Sequence, residues 1–417
     1  MRLIVKIIIE SFHASLRELW NNKLRTFLSL LGISIGIFCV IAVMAAVDSM
    51  ERNTKQSIQK LGSDVIFIGK WPWTFSNDYP WWKYMNRPVA KYDEYRILKS
   101  KIKSANEVAM SVRLEGKTTS FEGQSLEEVG VLGVTMEYGT IMDMDFSEGR
   151  YFTQLESDGG APVAILGYDV AKQLFPRSVN PVGSYVTLFG TKLLVVGILK
   201  KEGESLLDMS NDNLIYTTFN FIKTKVRFDG DGAEPSILVQ AKEGVALDVL
   251  GDEIRGHMRS LRRQDPVEED NFALNRISMI TSFISQIFGA LNIAGIIIGG
   301  FALLVGGFGI ANIMFVSVRE RTNLIGIKKA LGAKNYFILL EFLTESIILS
   351  VIGGLFGLLL VYLSALMASG AFGFELILSS SNMLRGVIIS SVIGMIAGLW
   401  PAFSAARLKP VDAIRFK

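Results

Sequence analysis

The sequence predicts a membrane protein of four transmembrane helices, with a large α+β extracytoplasmic domain inserted between spans 1 and 2. Three observations carry that reading. Half of the 417 residues are hydrophobic and the mean hydropathy is positive, too apolar for an ordinary soluble chain of this length. No charged residue occurs between Arg25 and Asp48, Arg276 and Arg319, Glu345 and Glu375, or Arg385 and Arg407. Each gap matches or exceeds the ~20 apolar residues that cross a bilayer core. Residues 48–276, by contrast, are rich in charge and punctuated by glycine and proline. A soluble alternative would have to bury four long apolar helices inside one domain.

Taken in order, residues 1–25 place Ile4, Ile8, Phe12, Leu16 and Leu19 at helical spacing, with charge over much of the other face. This predicts an amphipathic helix along the cytoplasmic membrane surface. The first span, 26–47, exceeds the ~7–15 apolar residues of a secretory signal, so it is expected to remain as an anchor. It holds the single cysteine, Cys39, so no disulfide is expected in the outer domain. Within 48–276, "GSDVIFIGK", "KLLVVGILK", "APVAILG" and "SYVTLFG" read as strands. "KYDEYRILKSK" and "DVLGDEIRGHMRSLRRQ" read as helices, and the length suits one large or two smaller subdomains, two being favoured. Trp71, Trp73, Trp81 and Trp82 cluster here, as a binding surface or, favoured, as a membrane-proximal or packing element.

The 42 uncharged residues 277–318 would make a helix of ~60 Å, about twice a bilayer core. They are expected to form a stalk continuous with span 2. A cytoplasmic helix over 319–336, span 3 over 337–367, a short periplasmic loop over 368–385, span 4 over 386–406 and a cytoplasmic tail over 407–417 complete the chain.

Orientation follows from Lys and Arg, which accumulate in short cytoplasmic segments. Residues 1–25 carry Arg2, Lys6, Arg17, Lys23 and Arg25, and residues 319–336 carry five basic residues against Glu320 alone. The tail adds Arg407, Lys409, Arg415 and Lys417 against Asp412. Both termini and 319–336 are therefore expected in the cytoplasm, with 48–276 outside. That outer segment has 28 basic and 33 acidic residues, so the chain's net +3 comes from its membrane-facing parts. Such a distribution argues against a nucleic-acid partner and for lipid. Trp20 and Trp400 fall where an aromatic belt would meet the cytoplasmic interface.

Each span also contains two glycines four apart: Gly32 and Gly36, Gly295 and Gly299, Gly353 and Gly357, Gly394 and Gly398. Small residues at that spacing let helices approach closely in lipid. They predict a tightly packed bundle, a dimer interface included. Glu341 and Glu345 share a face near the inner end of span 3, where structural pairing with Lys or Arg and a proton relay both remain open. Within 319–336, Leu324, Ile327 and Leu331 align as an apolar stripe, with Lys328 and Lys329 turned elsewhere and Gly332 as a helix stop. The stripe suits either a partner's groove or a lipid-lying connector.

Enzyme chemistry is not evident. His13 and His257 have no ligand-like spacing, so no metal site is expected. The nearest approach to a phosphate cradle, "SVRLEGKT" at 111–118, has Ser111 where the first glycine belongs. No nucleophile elbow, zincin helix or dinucleotide fingerprint occurs.

"RERTNLIGIKKALGAKNYFILLEFLTESIILSVIGGLFGLLL" and the ending "GLWPAFSAARLKPVDAIRF" resemble the FtsX-type permease domain of MacB-like ABC transporters. The ending carries that domain's pattern at Pro401, Ala402, Ala405, Ala406, Arg407 and Pro410. "VLGVTMEYGTIMDMDFSEGRYFT", "VAILGYDVAKQLFP" and "NPVGSYVTLFGTKLLVVGIL" resemble the MacB periplasmic core domain. Where the family usually has a charged Arg-Glu pair before the Ile-Gly, this chain has Asn323 and Leu324, which leaves no charge there for an ion pair to the ATPase.

The resemblance implies a mechanotransmission permease of the inner membrane, without a tunnel for cargo. It implies that Arg321 and Leu324, Ile325, Gly326, Ile327, Lys328, Lys329, Ala330, Leu331, Gly332 and Ala333 form the coupling helix on a cytoplasmic ABC ATPase. It further implies a homodimer, with ATP and Mg bound by the ATPase and no cofactor on this chain. Because the sequence begins at the amphipathic helix, the ATPase is expected to be a separate gene product. Export from the periplasm or inner membrane, with a periplasmic adaptor and an outer-membrane channel, leads the functional readings. An FtsX-like regulator of a periplasmic cell-wall enzyme or sensor, and a lipoprotein-releasing permease, are the alternatives.

Overall fold

The computed structural model describes residues 23–59, 62–74, 79–176, 179–202, 210–228, 232–372 and 379–414. Most of the amphipathic helix expected over 1–25, part of the loop expected over 368–385 and the last three residues lie outside them. The chain divides into two compact units, Met1–Glu51 with Gln286–Lys417, and Arg52–Ser285.

Helix α1 spans Lys23–Gln59, with a candidate membrane span at Leu30–Lys55. It outruns the 26–47 expected from charge alone. Asp48, Glu51, Arg52 and Lys55 continue its helical phase, because charge ends a membrane span without ending a helix.

The unit Arg52–Ser285 is built on ten strands: β1 (Val65–Gly69), β2 (Ala105–Phe121), β3 (Gln124–Val134), β4 (Phe146–Gly149), β5 (Val163–Leu166), β6 (Tyr185–Leu188), β7 (Thr191–Leu199), β8 (Leu214–Thr218), β9 (Ala233–Ala241) and β10 (Ala273–Arg276). They form one mixed sheet in the order β10-β1-β9-β2-β3-β8-β5-β7-β4, with β6 paired to β2 and β7. The segment expected to hold two subdomains is thus threaded by a single sheet. β3 with β8 and β5 with β7 are parallel; the other pairs are antiparallel.

Successive strand side chains point to opposite faces, and this pattern splits the core in two. Ile66, Ile68, Val108, Met110, Val112, Ile237 and Val239 pack on one face, while Val65, Ala109 and Leu238 pack on the other. Helix α2 (Tyr92–Lys101) covers the first face with Tyr95 and Leu98. Helix α3 (Leu247–Leu261) adds Leu250, Ile254 and Met258. Each such side chain contributes about 1.5–3 kcal/mol by leaving water. At the end of α3, Arg262 joins α2 through a 2.8 Å bridge from Nε to Glu94 Oε1. Residues 111–118 lie inside β2, an extended strand that cannot wrap a phosphate.

Helices α4 (Ile277–Glu320), α5 (Thr322–Ala330), α6 (Asn335–Phe372) and α7 (Ser380–Arg407) follow. With α1, the helices α4, α6 and α7 are long and apolar enough to cross a membrane. At 44 residues, α4 is ~66 Å long, twice a bilayer core.

Within the membrane unit the eight glycines mark close approaches between helices. A Cβ on Gly36 would lie 3.1 Å from the Ala302 backbone, and one on Gly32 would lie 3.6 Å from Gly306 Cα. One on Gly295 would meet Val43 at 2.4 Å, and one on Gly299 would meet Val40 at 2.2 Å. Gly353 and Gly357 face Ile33 and Ser34 of α1, while Gly394 and Gly398 face Ser346 and Ser350 of α6. Hydrogen bonds follow the same seams: Ser34 Oγ donates to Gly353 O at 2.9 Å, and Ser350 Oγ to Ser390 O at 2.5 Å.

Candidate functional site

The most elaborate polar arrangement in the membrane unit surrounds α5. The chain leaves α4 with a break at Arg321, whose N–H still donates to Ser317 O at 3.0 Å. It restarts at once as a nine-residue helix. The far end closes with the double bond that ends a helix on a left-handed residue. Gly332 N–H donates to Lys329 O at 3.0 Å and Ala333 N–H to Lys328 O at 3.1 Å, with Gly332 at φ 95°. Glycine adopts that backbone without the Cβ penalty.

The helix has two faces. Thr322, Ile325 and Gly326 are buried, and Ile325 joins a core with Val318, Ile338, Phe342, Ala402 and Ala405. Leu324, Ile327 and Leu331 point outward, at 55%, 50% and 85% exposure. The stripe read from the sequence is therefore the exposed face of a helix held from its other side.

Its basic side chains do the holding. Arg321 bridges the buried Glu345 on α6 at 3.3 Å. Lys328 Nζ donates to both carboxylate oxygens of Glu341, also on α6, at 2.7 and 3.0 Å. Lys329 Nζ donates to Ala406 O at 2.6 Å and Leu408 O at 2.7 Å, at the C-terminal end of α7. Burial lowers the Lys329 pKa, while the carbonyl end of a helix favours its charge. Glu341 and Glu345 are thus members of ion pairs. The short helix Pro410–Ile414 also packs against α5.

Sequence reasoning placed Lys328 and Lys329 away from the stripe but did not find their partners. The signal for Lys329 was available: α7 ends at Arg407 two residues before its stop at Lys409-Pro410, and its last carbonyls need donors. At the opposite end of the unit, Asn382 Nδ2 donates to Asp48 Oδ2 at 3.0 Å, tying α7 to α1, and this contact was missed altogether.

Other sequence candidates fall elsewhere. Trp81 and Trp82 sit exposed on the short helix Trp81–Met85, with their rings 5.9 Å apart. Trp73 packs at a tilt against Phe67, ring centroids 5.1 Å apart, and its backbone N–H donates to Asn275 Oδ1 at 2.8 Å. Among the described residues no three His, Cys, Asp or Glu side chains gather as a metal site.

Residues 26–257 match the MacB-like periplasmic core domain, and residues 296–410 match the FtsX-like permease C-terminal domain. The pyoverdine export ATP-binding/permease protein PvdT of Pseudomonas syringae pv. tomato is 30% identical over 98% of this chain. The chain spans 59% of that protein's length. The ABC transporter permease YknZ of Bacillus subtilis is 30% identical over 98% of this chain and 100% of its own. The solved periplasmic region of MacB from Actinobacillus actinomycetemcomitans superposes with a TM-score of 0.44 at 18% identity, covering 55% of this chain and 95% of that one. With four spans flanking an α/β domain between the first and second, and with both halves matched in order, this chain belongs to the MacB/FtsX-like family of ABC transporter permeases.

Proposed function

We propose that this chain is the non-catalytic transmembrane subunit of an ABC transporter, taking ATP-driven motion from a separate cytoplasmic ATPase and delivering it to the domain Arg52–Ser285. One observation supports this above the rest. α5 presents Leu324, Ile327 and Leu331 outward while its opposite face and basic side chains are fixed to α6 and α7. A loose connector would need no such anchoring. A lever must be firmly joined to what it moves.

In this reading residues 321–333 seat in a groove of the ATPase, which binds ATP and Mg. Basic residues hold 319–336 and both termini in the cytoplasm, and α4 is the rod from coupling helix to periplasmic domain. The chain works as a homodimer that exports substrates from the periplasm or inner membrane, with a periplasmic adaptor and an outer-membrane channel. Relatives named for pyoverdine export support the export direction, and the YknZ name, a permease alone, favours a separate ATPase.

The test is co-purification of the ATPase with wild type and with the double variant Leu324→Asp, Leu331→Asp. The account expects association to be lost while membrane insertion and yield stay intact. Undiminished association would defeat it.

A further inference from the structure

We propose that the groove between α4 and α7 is a binding site for an anionic phospholipid, with one acyl chain in the groove and its headgroup held by Arg319 and Arg407. The groove has a volume of about 720 Å³ and is lined almost wholly by apolar atoms. Leu304, Phe308 and Phe315 of α4 form one wall; Ile388, Val392 and Ile396 of α7 form the other; Trp400 closes the end. Its floor is small: a Cβ on Gly307 would lie 3.6 Å from Ile393 and 3.9 Å from Ala397. From Ile388 to Trp400 the helix rises ~18 Å, close to the ~15 Å of a single leaflet's hydrocarbon.

One end is charged. On α4 the lining residue Phe315 is followed four positions later by Arg319. On α7, Trp400 leads to Phe403 and then Arg407 at the same helical spacing. Both arginines are exposed, and the Arg407 guanidinium sits 4.2 Å from the Phe403 ring. The acids of α6 are engaged elsewhere, Glu345 by Arg321 and Glu341 by Lys328. Trp400, 76% exposed, has the amphipathic ring that collects at headgroup depth. A second copy docking here about a two-fold axis would bring the same arginines together at equal depth, a like-charge clash. An amphiphile with an anionic head matches both the apolar slot and the basic mouth.

The experiment uses the full chain in lipid nanodiscs, titrated with brominated phosphatidylglycerol or brominated phosphatidylcholine. Trp400 quenching is isolated by subtracting the Trp400→Phe variant. The anionic lipid should be preferred, and Arg319→Gln and Arg407→Gln should each cut that preference about fivefold, the worth of about 1 kcal/mol for one basic side chain beside an anionic leaflet. Gly307→Leu, which fills the floor without touching an arginine, should erase the preference and leave only the quenching of Trp400 by bulk lipid. Equal quenching by the two lipids would overturn the proposal. So would Trp400 shielded from both lipids while cysteines at Phe308 cross-link two copies, which would assign the groove to a second protein chain.

Discussion

The domain Arg52–Ser285 and the membrane unit both bury aliphatic side chains, Ile66 and Val239 in the one and Ile37 and Ile41 in the other, but they differ in what they expose. In the domain, valine, isoleucine and leucine fill both faces of the sheet, and charge stays mostly at the surface. In the membrane unit, Ser34, Ser317, Glu345, Ser346, Ser350, Asn382 and Ser390 are buried, while Ile298, Phe301, Val305 and Phe308 are exposed. The solvent explains the difference. Lipid is as apolar as leucine, so association in the bilayer rests on close backbone approach and hydrogen bonds. Water rewards burying leucine, and lipid is indifferent to it. The same logic separates the spans: half of the apolar window of α1 is buried against 28% of that of α4. α1 meets α4 at Gly295, Gly299 and Gly36, and meets α6 at Gly353 and Gly357.

The largest expected effect probes the ion pairs of the two regions. Arg321→Ala removes a guanidinium from beside Glu345, whose side chain is 1% exposed, and should cost about 3 kcal/mol. Arg262→Ala strands Glu94, 10% exposed, but Glu94 keeps the Lys91 N–H at 2.9 Å, so the loss should be nearer ~2 kcal/mol. Melting of both variants in one detergent checks the order, and equal losses would erase the distinction. Next come the glycines. Gly398→Leu would push into Ser346 Oγ at 1.9 Å and Gly299→Leu into Val40, each costing about 1–3 kcal/mol by overpacking. In the domain, Gly116 has open space around it and φ 64°, so Gly116→Ala should cost only the ~1 kcal/mol of left-handed backbone.

The smallest effect is titration at the domain surface. Two Arg150 nitrogens at 2.8 Å, then the Thr153 N–H at 2.7 Å, hold Glu156 well below the usual carboxylate range, at about 2. Its folded pKa is depressed, so its stabilisation is complete above about pH 4.3, the ordinary value for glutamate, and is lost as pH falls towards 2. Solvent screening keeps it below about 1 kcal/mol. Pulse proteolysis across that window should show a slope that Glu156→Gln removes.

How legible each region was follows from the same contrast. Strands such as "KLLVVGILK" and "APVAILG" appear where read, as β7 and β5, because alternation against water leaves a trace in the chain. The order of the sheet left none, since β2 pairs β9 and β3 pairs β8 across long separations. The spans were legible as charge-free gaps, and the glycine spacing pointed to close packing, but nothing local said that Gly398 would meet Ser346. Around α5 the outward stripe was readable at helical spacing. The inward one, Thr322, Ile325 and Gly326 with Lys329, was hidden because its partners lie up to 79 residues away, at Leu408. A long lysine carries no sign of which helix end it will cap.

The central claim is that motion applied to α5 reaches the domain through rigid helices. A spin label at Val267, 98% exposed on that domain, reports the distance between two copies by pulsed electron resonance when the ATPase is bound. The account predicts that ATP shifts this distance distribution and that Leu324→Asp with Leu331→Asp abolishes the shift. A distribution unchanged by ATP in the wild-type complex would contradict it.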